Sequence, residues 1–206
     1  MRPARFWLIR HALVEENARA TLYGTMDVPL CETTLRDQAP MYAALARRLP
    51  RHAAWKVTPL SRTRLTARAI FAAGYPESPL SIEPNLIEQS LGDWHGLPHH
   101  ELPPKLSLTK HPFWPLAGAE KPPNGESMLE VIDRAGLALE RLAVEHEGED
   151  VVAVSHGGTI RALVAHALGV GPDNALHLSV ENLSLTRLER NDFGWRVQCV
   201  NELPGY

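Results

Sequence analysis

Phe6-Trp7-Leu8-Ile9-Arg10-His11-Ala12 is the stretch from which the fold can be read: four apolar residues resembling a buried strand run straight into an arginine and a histidine. An unpaired charge inside a core is costly, so a strand aimed into one has no use for a cation at its end. At the carboxyl end of a central strand in an α/β sheet the pair has a use, because ligands bind in the crevice beyond such ends. Arg10 and His11 are therefore the candidate floor of an anion site, with His11 as the reacting group. The competing reading is a strand that surfaces in two ordinary polar residues. These seven residues leave both open.

The same arrangement recurs. Val151 to Val154 is short and apolar, of the kind buried on both faces of a parallel sheet. It ends in Ser155-His156-Gly157-Gly158 and enters a helix carrying Ile160, Leu163, Val164, Ala167 and Leu168. In a parallel sheet His11 and His156 would share one carboxyl edge. The glycines let backbone approach an anion closely, and the helix they open points free N–H groups and its positive end at that anion. A lone histidine is more often structural; two at parallel strand ends favour a site.

The remaining chain supplies strands and helices in alternation. Leu13 to Leu30 reads as irregular, with Gly24, Asp27 and Pro29 as loop punctuation. Leu35, Tyr42, Leu45 and Leu49 suggest a helix over residues 33–49, with Pro40 either kinking it or delaying its start. Ala54 to Thr58 is a strand candidate. A helix follows over Ser61 to Ala73, with Leu65, Ala69 and Ala72 as its sheet-facing side and Gly74 as C-cap. Leu80 to Ile82 is a further short strand. The spacing of Met128, Ile132, Ala135, Leu139 and Leu142 predicts a helix over Glu126 to Glu147, stopped by Gly148. Leu183 to Leu188 and Trp195 to Val200 alternate around Asn191-Asp192-Phe193-Gly194 and read as a closing hairpin. The pattern predicts a three-layer α/β/α sandwich with a mainly parallel central sheet. Residues 1–206 are read as a single domain, in which the Pro-rich stretch 97–125 is an insertion or lid near the active-site end.

Composition excludes several classes. At 44% apolar and 22% charged residues the chain reads as globular, and a net charge of −3 provides no general attraction for nucleic acid or an anionic membrane. No apolar run approaches the roughly 20 residues of a membrane span, and Phe6 to Ile9 is too short for a signal peptide. Cys31 and Cys199 are too few for a disulfide framework or a cysteine-based zinc site. A reduced cytoplasmic protein is the expectation, with one disulfide between the two as the alternative. No cofactor and no metal are expected. Oligomeric state stays open, monomer or homodimer.

At this point the sequence resembles the histidine phosphatase superfamily, also called phosphoglycerate mutase-like. Arg10-His11-Ala12 with Asn17 is similar to the family's Arg-His-Gly signature and spaced Asn. Gly24, Asp27, Pro29 and Leu30 resemble its next loop. Pro59-Leu60-Ser61-Arg62 with Thr66-Ala67 resembles the segment bearing a second pocket arginine. Leu86, Glu88, Gly92, Trp94 and Gly96 resemble the segment bearing the acid. Gly125-Glu126-Ser127 resembles the opening of the next helix, and Ser155-His156-Gly157-Gly158 with Arg161 the second histidine. The motifs stand in the family's order.

The resemblance implies a metal-independent phosphomonoesterase acting on a small phosphorylated metabolite through a phosphohistidine. His11 would be the nucleophile and Glu88 the acid, then the base. Arg10, Arg62, Asn17, His156 and the backbone at Gly157 would cradle the phosphoryl oxygens. Arginine forks suit that role, being permanently charged and bidentate, and flanking cations should depress the pKa of His11 and keep it nucleophilic. The alternatives are phosphoglycerate mutase-type transfer and a non-catalytic phosphate-binding regulatory module. Leu97 to Pro104 lacks the basic stretch with which the family's mutases grip a bisphosphate, which favours the phosphatase.

Plainer readings stand beside these. Away from the motif, Arg62 would be an ordinary exposed arginine, and Glu88 has acidic company such as Glu83 and Glu101. Arg64 and Arg68 read as solvated, Trp94 and Trp114 as packing, and Asp27 as a loop stabiliser. His99 and His100, adjacent and without a third ligand, do not read as a metal pair, and a place for one of them at the substrate mouth is the lesser alternative. Ala12 departs from the signature glycine. It would cost on the order of 1 kcal/mol if that position needs a positive φ.

Overall fold

The chain alternates strand and helix as far as residue 176 and then closes with a hairpin. The computed structural model describes Arg2 to Gly205. In order it forms β1 (Ala4–Arg10), α1 (Glu16–Arg19), α2 (Glu32–Asp37), α3 (Ala39–Arg48), β2 (Ala53–Val57), α4 (Ser61–Ala72) and β3 (Leu80–Ile82). After single 3₁₀ turns come α5 (Met128–Glu145), β4 (Asp150–Ser155), α6 (Gly157–Leu168), α7 (Pro172–Leu176), β5 (Leu185–Asn191) and β6 (Gly194–Glu202).

The strands form one six-stranded sheet in the order β3-β2-β4-β1-β5-β6. The first four are mutually parallel, while β5 runs antiparallel to β1 and β6 antiparallel to β5. Alternation along the two central strands sets the layers. Ile9, Val152 and Val154 pack with Tyr42, Leu45, Ala67 and Ile70 of α3 and α4. Phe6, Leu8, Val151 and Ala153 pack with Ala135, Leu139, Ile160 and Leu163 of α5 and α6. Both faces of these strands are buried, which makes the fold a three-layer α/β/α sandwich.

Local chemistry explains the boundaries. Pro40 does not kink one long helix; Gln38 ends α2 and precedes α3, where the proline occupies the first turn and forfeits no hydrogen bond. Ser127 caps α5 with a reciprocal Ser127–Glu130 box, and α6 ends at Gly169 in the left-handed conformation. In α4 the buried side is Arg62, Thr63, Thr66, Ala67 and Ile70, whereas Leu65 is exposed, so the sheet-facing side expected from apolar spacing is corrected. The short α1 and α7 have no counterpart in the expected elements. Cys31 and Cys199 are both free thiols.

The stretch 97–125 carries only 3₁₀ turns and loops, as its prolines require. It gathers around Leu22, Leu91, Trp94, Leu102 and Leu116, a separate apolar cluster. Backbone bonds Leu22 N–H to Leu97 O and Gly96 N–H to Leu22 O, both 2.8 Å, stitch it to the loop after α1. No helix among the described residues is long and apolar enough to cross a membrane.

Candidate active site

The two histidines are neighbours because the strands beneath them are in register. Arg10 pairs with Ser155 across β1 and β4, and His11 N–H donates to Ser155 O at 2.9 Å. Their imidazole centroids lie 5.2 Å apart with the rings inclined at 61°. His11 is 1% exposed, and its Nδ1 stands 2.7 Å from Ala12 O. A carbonyl only accepts, so Nδ1 carries the proton and Nε2 keeps the lone pair. The backbone around it is pinned twice: Asn182 Nδ2 donates to His11 O at 2.8 Å, and Ala12 N–H donates to Thr66 Oγ1 at 2.9 Å.

Burial, reinforced by Arg62 and Arg10, holds the His11 pKa well below its ordinary value. His156 is lowered likewise by burial, then by His11, Arg62 and Arg10. Both rings are thus neutral near pH 7. His156 is fully buried, and its Nε2 lies 3.0 Å from Thr58 Oγ1, at the end of β2. Its Nδ1 has no hydrogen-bond partner among the described residues.

Three arginines surround this pair. Arg10 donates from Nη1 to Val180 O at 2.6 Å. Arg62, fully buried on the first turn of α4, donates from Nη1 to Met26 O and from Nη2 to Gly24 O, both at 2.7 Å. The Nε atoms of Arg10 and Arg62 are buried and, among the described residues, unpartnered. Arg161 of α6 donates to Leu178 O and Gly157 O, and its guanidinium lies 4.6 Å from the centre of the Trp114 ring. Burial, with Arg10 adding to it, lowers the Arg161 pKa to about 10, so it stays charged at neutral pH.

Glu88 faces them from the loop after β3. Its carboxylate accepts from Gly158 N at 3.1 Å and Thr159 N at 3.2 Å, in the first turn of α6. A side chain there would push the carboxylate aside, because a β-carbon on Gly158 would stand 2.4 Å from Glu88 Oε1. On Gly157 a β-carbon would stand 3.1 Å from Arg161 Nη1 and 3.3 Å from Arg10 Nε, so the two arginines close on bare backbone. The helix N–H groups expected to face an anion are thus partly taken by the protein's own carboxylate. Arg134 braces the Glu88 loop through Asn85 O and Ile87 O while pairing with Glu126.

A cavity of about 140 Å³ opens above this cluster, with Arg10, Glu88 and Gly157 at its polar end. Thr21 to Gly24 and His99, Trp114, Pro115 and Leu116 form walls. His11, Arg10, Arg62, Glu88, His156 and Gly157 are therefore brought together. Asn17 lies exposed on α1 and, among the described residues, shares no hydrogen bond with this cluster. Trp94 is core, as expected, whereas Trp114 lines the cavity and does more than pack. Asp27 holds Ser61 through its N–H and hydroxyl at the start of α4. His100 is exposed, and among the described residues no group of three or more potential ligands is placed to hold a metal.

Sequence reasoning misses Thr58, Asn182 and the Arg134–Glu126 brace. None has a local signal, since each acts on an element far from it in the chain. Ala12 is not among the described non-glycine residues with positive φ, so the conditional cost attached to it does not arise.

Known proteins resemble this chain over most of its length. The family model described as "Histidine phosphatase superfamily (branch 1)" matches residues 6–203. The glucosyl-3-phosphoglycerate phosphatase of Mycolicibacterium vanbaalenii is 30% identical over 184 residues, covering 84% of this chain and 78% of that protein. A bifunctional protein of Mycobacterium tuberculosis is 32% identical over 209 residues, covering 99% of this chain and 55% of that protein, so the chain spans about half of that relative. Among solved structures, a native mycobacterial glucosyl-3-phosphoglycerate phosphatase superposes with a TM-score of 0.77 at 26% identity, covering 98% of this chain and 100% of that one.

Proposed function

Because the chain belongs to the histidine phosphatase superfamily, branch 1, and is a hydrolase of phosphate monoesters, we propose that it cleaves a small phosphorylated metabolite through a phosphohistidine at His11. One observation carries the reading. Three buried nitrogens beside His11, namely Arg10 Nε, Arg62 Nε and His156 Nδ1, lack a hydrogen-bond partner among the described residues. Buried polar groups are nearly always paired, and the non-bridging oxygens of a phosphoryl group are acceptors of the right number and charge. In the proposed arrangement the Thr58 hydroxyl, 3.0 Å from His156 Nε2, donates a hydrogen bond there, and the ring proton on Nδ1 faces the phosphate.

His11 Nε2 attacks phosphorus in line as the P–O bond to the alcohol breaks, and Glu88 delivers a proton to the departing oxygen. Water then attacks phosphorus with Glu88 as base, breaking the P–N bond, releasing phosphate and returning the lone pair to Nε2. Phosphate-monoester hydrolysis is among the slowest uncatalysed reactions known. The guanidinium groups of Arg10 and Arg62 supply the charge stabilisation that Mg²⁺ provides in other phosphoryl-transfer sites. The proposed enzyme works in the cytoplasm as one domain, with residues 97–125 as a lid and without a nucleic-acid or membrane partner.

Hydrolysis of an aryl phosphate in the presence of a chelator tests this reading. Wild-type turnover should be unaffected by the chelator and independent of any bisphosphate primer, and His11→Ala should abolish it. Undiminished turnover in His11→Ala contradicts the reading, and dependence on a bisphosphate primer makes the protein a mutase.

A further inference from the structure

We propose, resting on the phosphatase reading above, that the preferred substrate is the phosphate ester of an apolar, ring-bearing alcohol, selected by a wall built on Trp114. Beyond its polar end the cavity is bounded by Leu22, Tyr23, Leu91, Trp114, Pro115 and Leu116. Most polar groups among these walls are already engaged, the Tyr23 hydroxyl being the exception among the described residues. Thr21 donates its hydroxyl to Ala18 O, Gln89 its amide to Glu126 O at 2.7 Å, and His99 Nε2 pairs with Arg19 O.

A polyhydroxylated or carboxylated alcohol would therefore surrender water against surfaces that give little back, which costs binding free energy for every unpaired group. An apolar ring suffers no such penalty and gains the burial of its own surface. Trp114 is fixed in advance, since the Arg161 guanidinium lies against its indole and is itself anchored by Leu178 O and Gly157 O. A wall held in place before the ligand arrives loses little entropy on binding.

Benzyl phosphate and glycerol 3-phosphate separate this proposal from the chemistry beneath it, because both leave as alkoxides of similar basicity. The wild-type kcat/KM for benzyl phosphate should exceed that for glycerol 3-phosphate by about tenfold or more. Trp114→Ala should bring the ratio close to one, through a raised KM for benzyl phosphate, while Trp114→Phe keeps most of it. Should Trp114→Ala not fold, the wild-type ratio and the Trp114→Phe variant decide the matter. A wild-type preference for glycerol 3-phosphate, phosphoserine or 3-phosphoglycerate overturns the proposal. So does a ratio that survives in folded Trp114→Ala. If the wild type hydrolyses no ester at all, the phosphatase reading falls and takes this proposal with it.

Discussion

A β-carbon on Gly158 would lie 2.4 Å from Glu88 Oε1, so the carboxylate of Glu88, the proposed acid, holds its present position only beside a residue without a side chain. The carboxylate rests on the N–H groups of Gly158 and Thr159, which fix its direction relative to His11. Gly158→Ala should displace Glu88 and lower kcat by roughly 10² or more, the usual scale of lost general acid–base catalysis. Steady-state kinetics on a variant with unchanged circular dichroism checks this. A kcat within a factor of about two of wild type would remove Glu88 from the role.

The buried histidines predict a pH dependence of stability. His11 and His156 are lowered in the folded protein by burial first and by neighbouring charges second. In the unfolded chain each titrates near about 6.5. Below that value the unfolded state binds protons that the folded state refuses. The stabilisation is therefore complete above about pH 7 and declines as pH falls, by up to about 1.4 kcal/mol per pH unit for each ring. Urea midpoints at about pH 7.5 and about pH 5.5 measure the loss, and His156→Asn should reduce it.

Thr58 holds the second histidine in one orientation. Thr58→Val keeps the shape and removes the partner of His156 Nε2. A net loss of about 1 kcal/mol in stability is expected, with kcat/KM reduced about tenfold. Thermal unfolding and kinetics on the same preparation test both.

Ala12 should be the better residue at its position. It is buried, packs in the cluster between sheet and α3–α4, and has no positive φ. Ala12→Gly, which recreates the signature glycine, should lower stability by about 1 kcal/mol and leave kcat within about twofold. Denaturant unfolding of the variant measures this; a rise in stability would contradict the packing argument.

Asn17 stands exposed on α1. Asn17→Ala should change kcat/KM by no more than about twofold, as exposed substitutions usually do. A large rise in KM would put α1 back in the site.

What is legible in the sequence follows a physical line. Val151 to Val154 and Phe6 to Ile9 stand out because both faces of each strand are buried, and the polar residues after them contrast with that background. The hairpin of β5 and β6 is equally visible, since alternation and turn chemistry are local. Apolar spacing misleads at α4 for a related reason. Its inward side carries Arg62, Thr63 and Thr66, so a rule that turns Leu65 inward fails where a helix serves a site. Glu88 is visible only through the resemblance, because its partners lie 70 and 71 residues further along the chain. Trp114 gives no sign of its wall position in a stretch whose prolines obscure any period.

The central claim is that His11 itself carries the phosphoryl group. Rapid acid-free quenching of wild-type protein with a ³²P-labelled phosphate ester, followed by peptide mapping, tests it most directly. Label should appear on the peptide containing His11, be lost on acid treatment and be absent from His11→Ala; with an aryl ester, whose phenoxide leaves without a proton, it should accumulate in Glu88→Gln as dephosphorylation slows. Label on another residue, or steady turnover in His11→Ala with no labelled protein, would contradict the account.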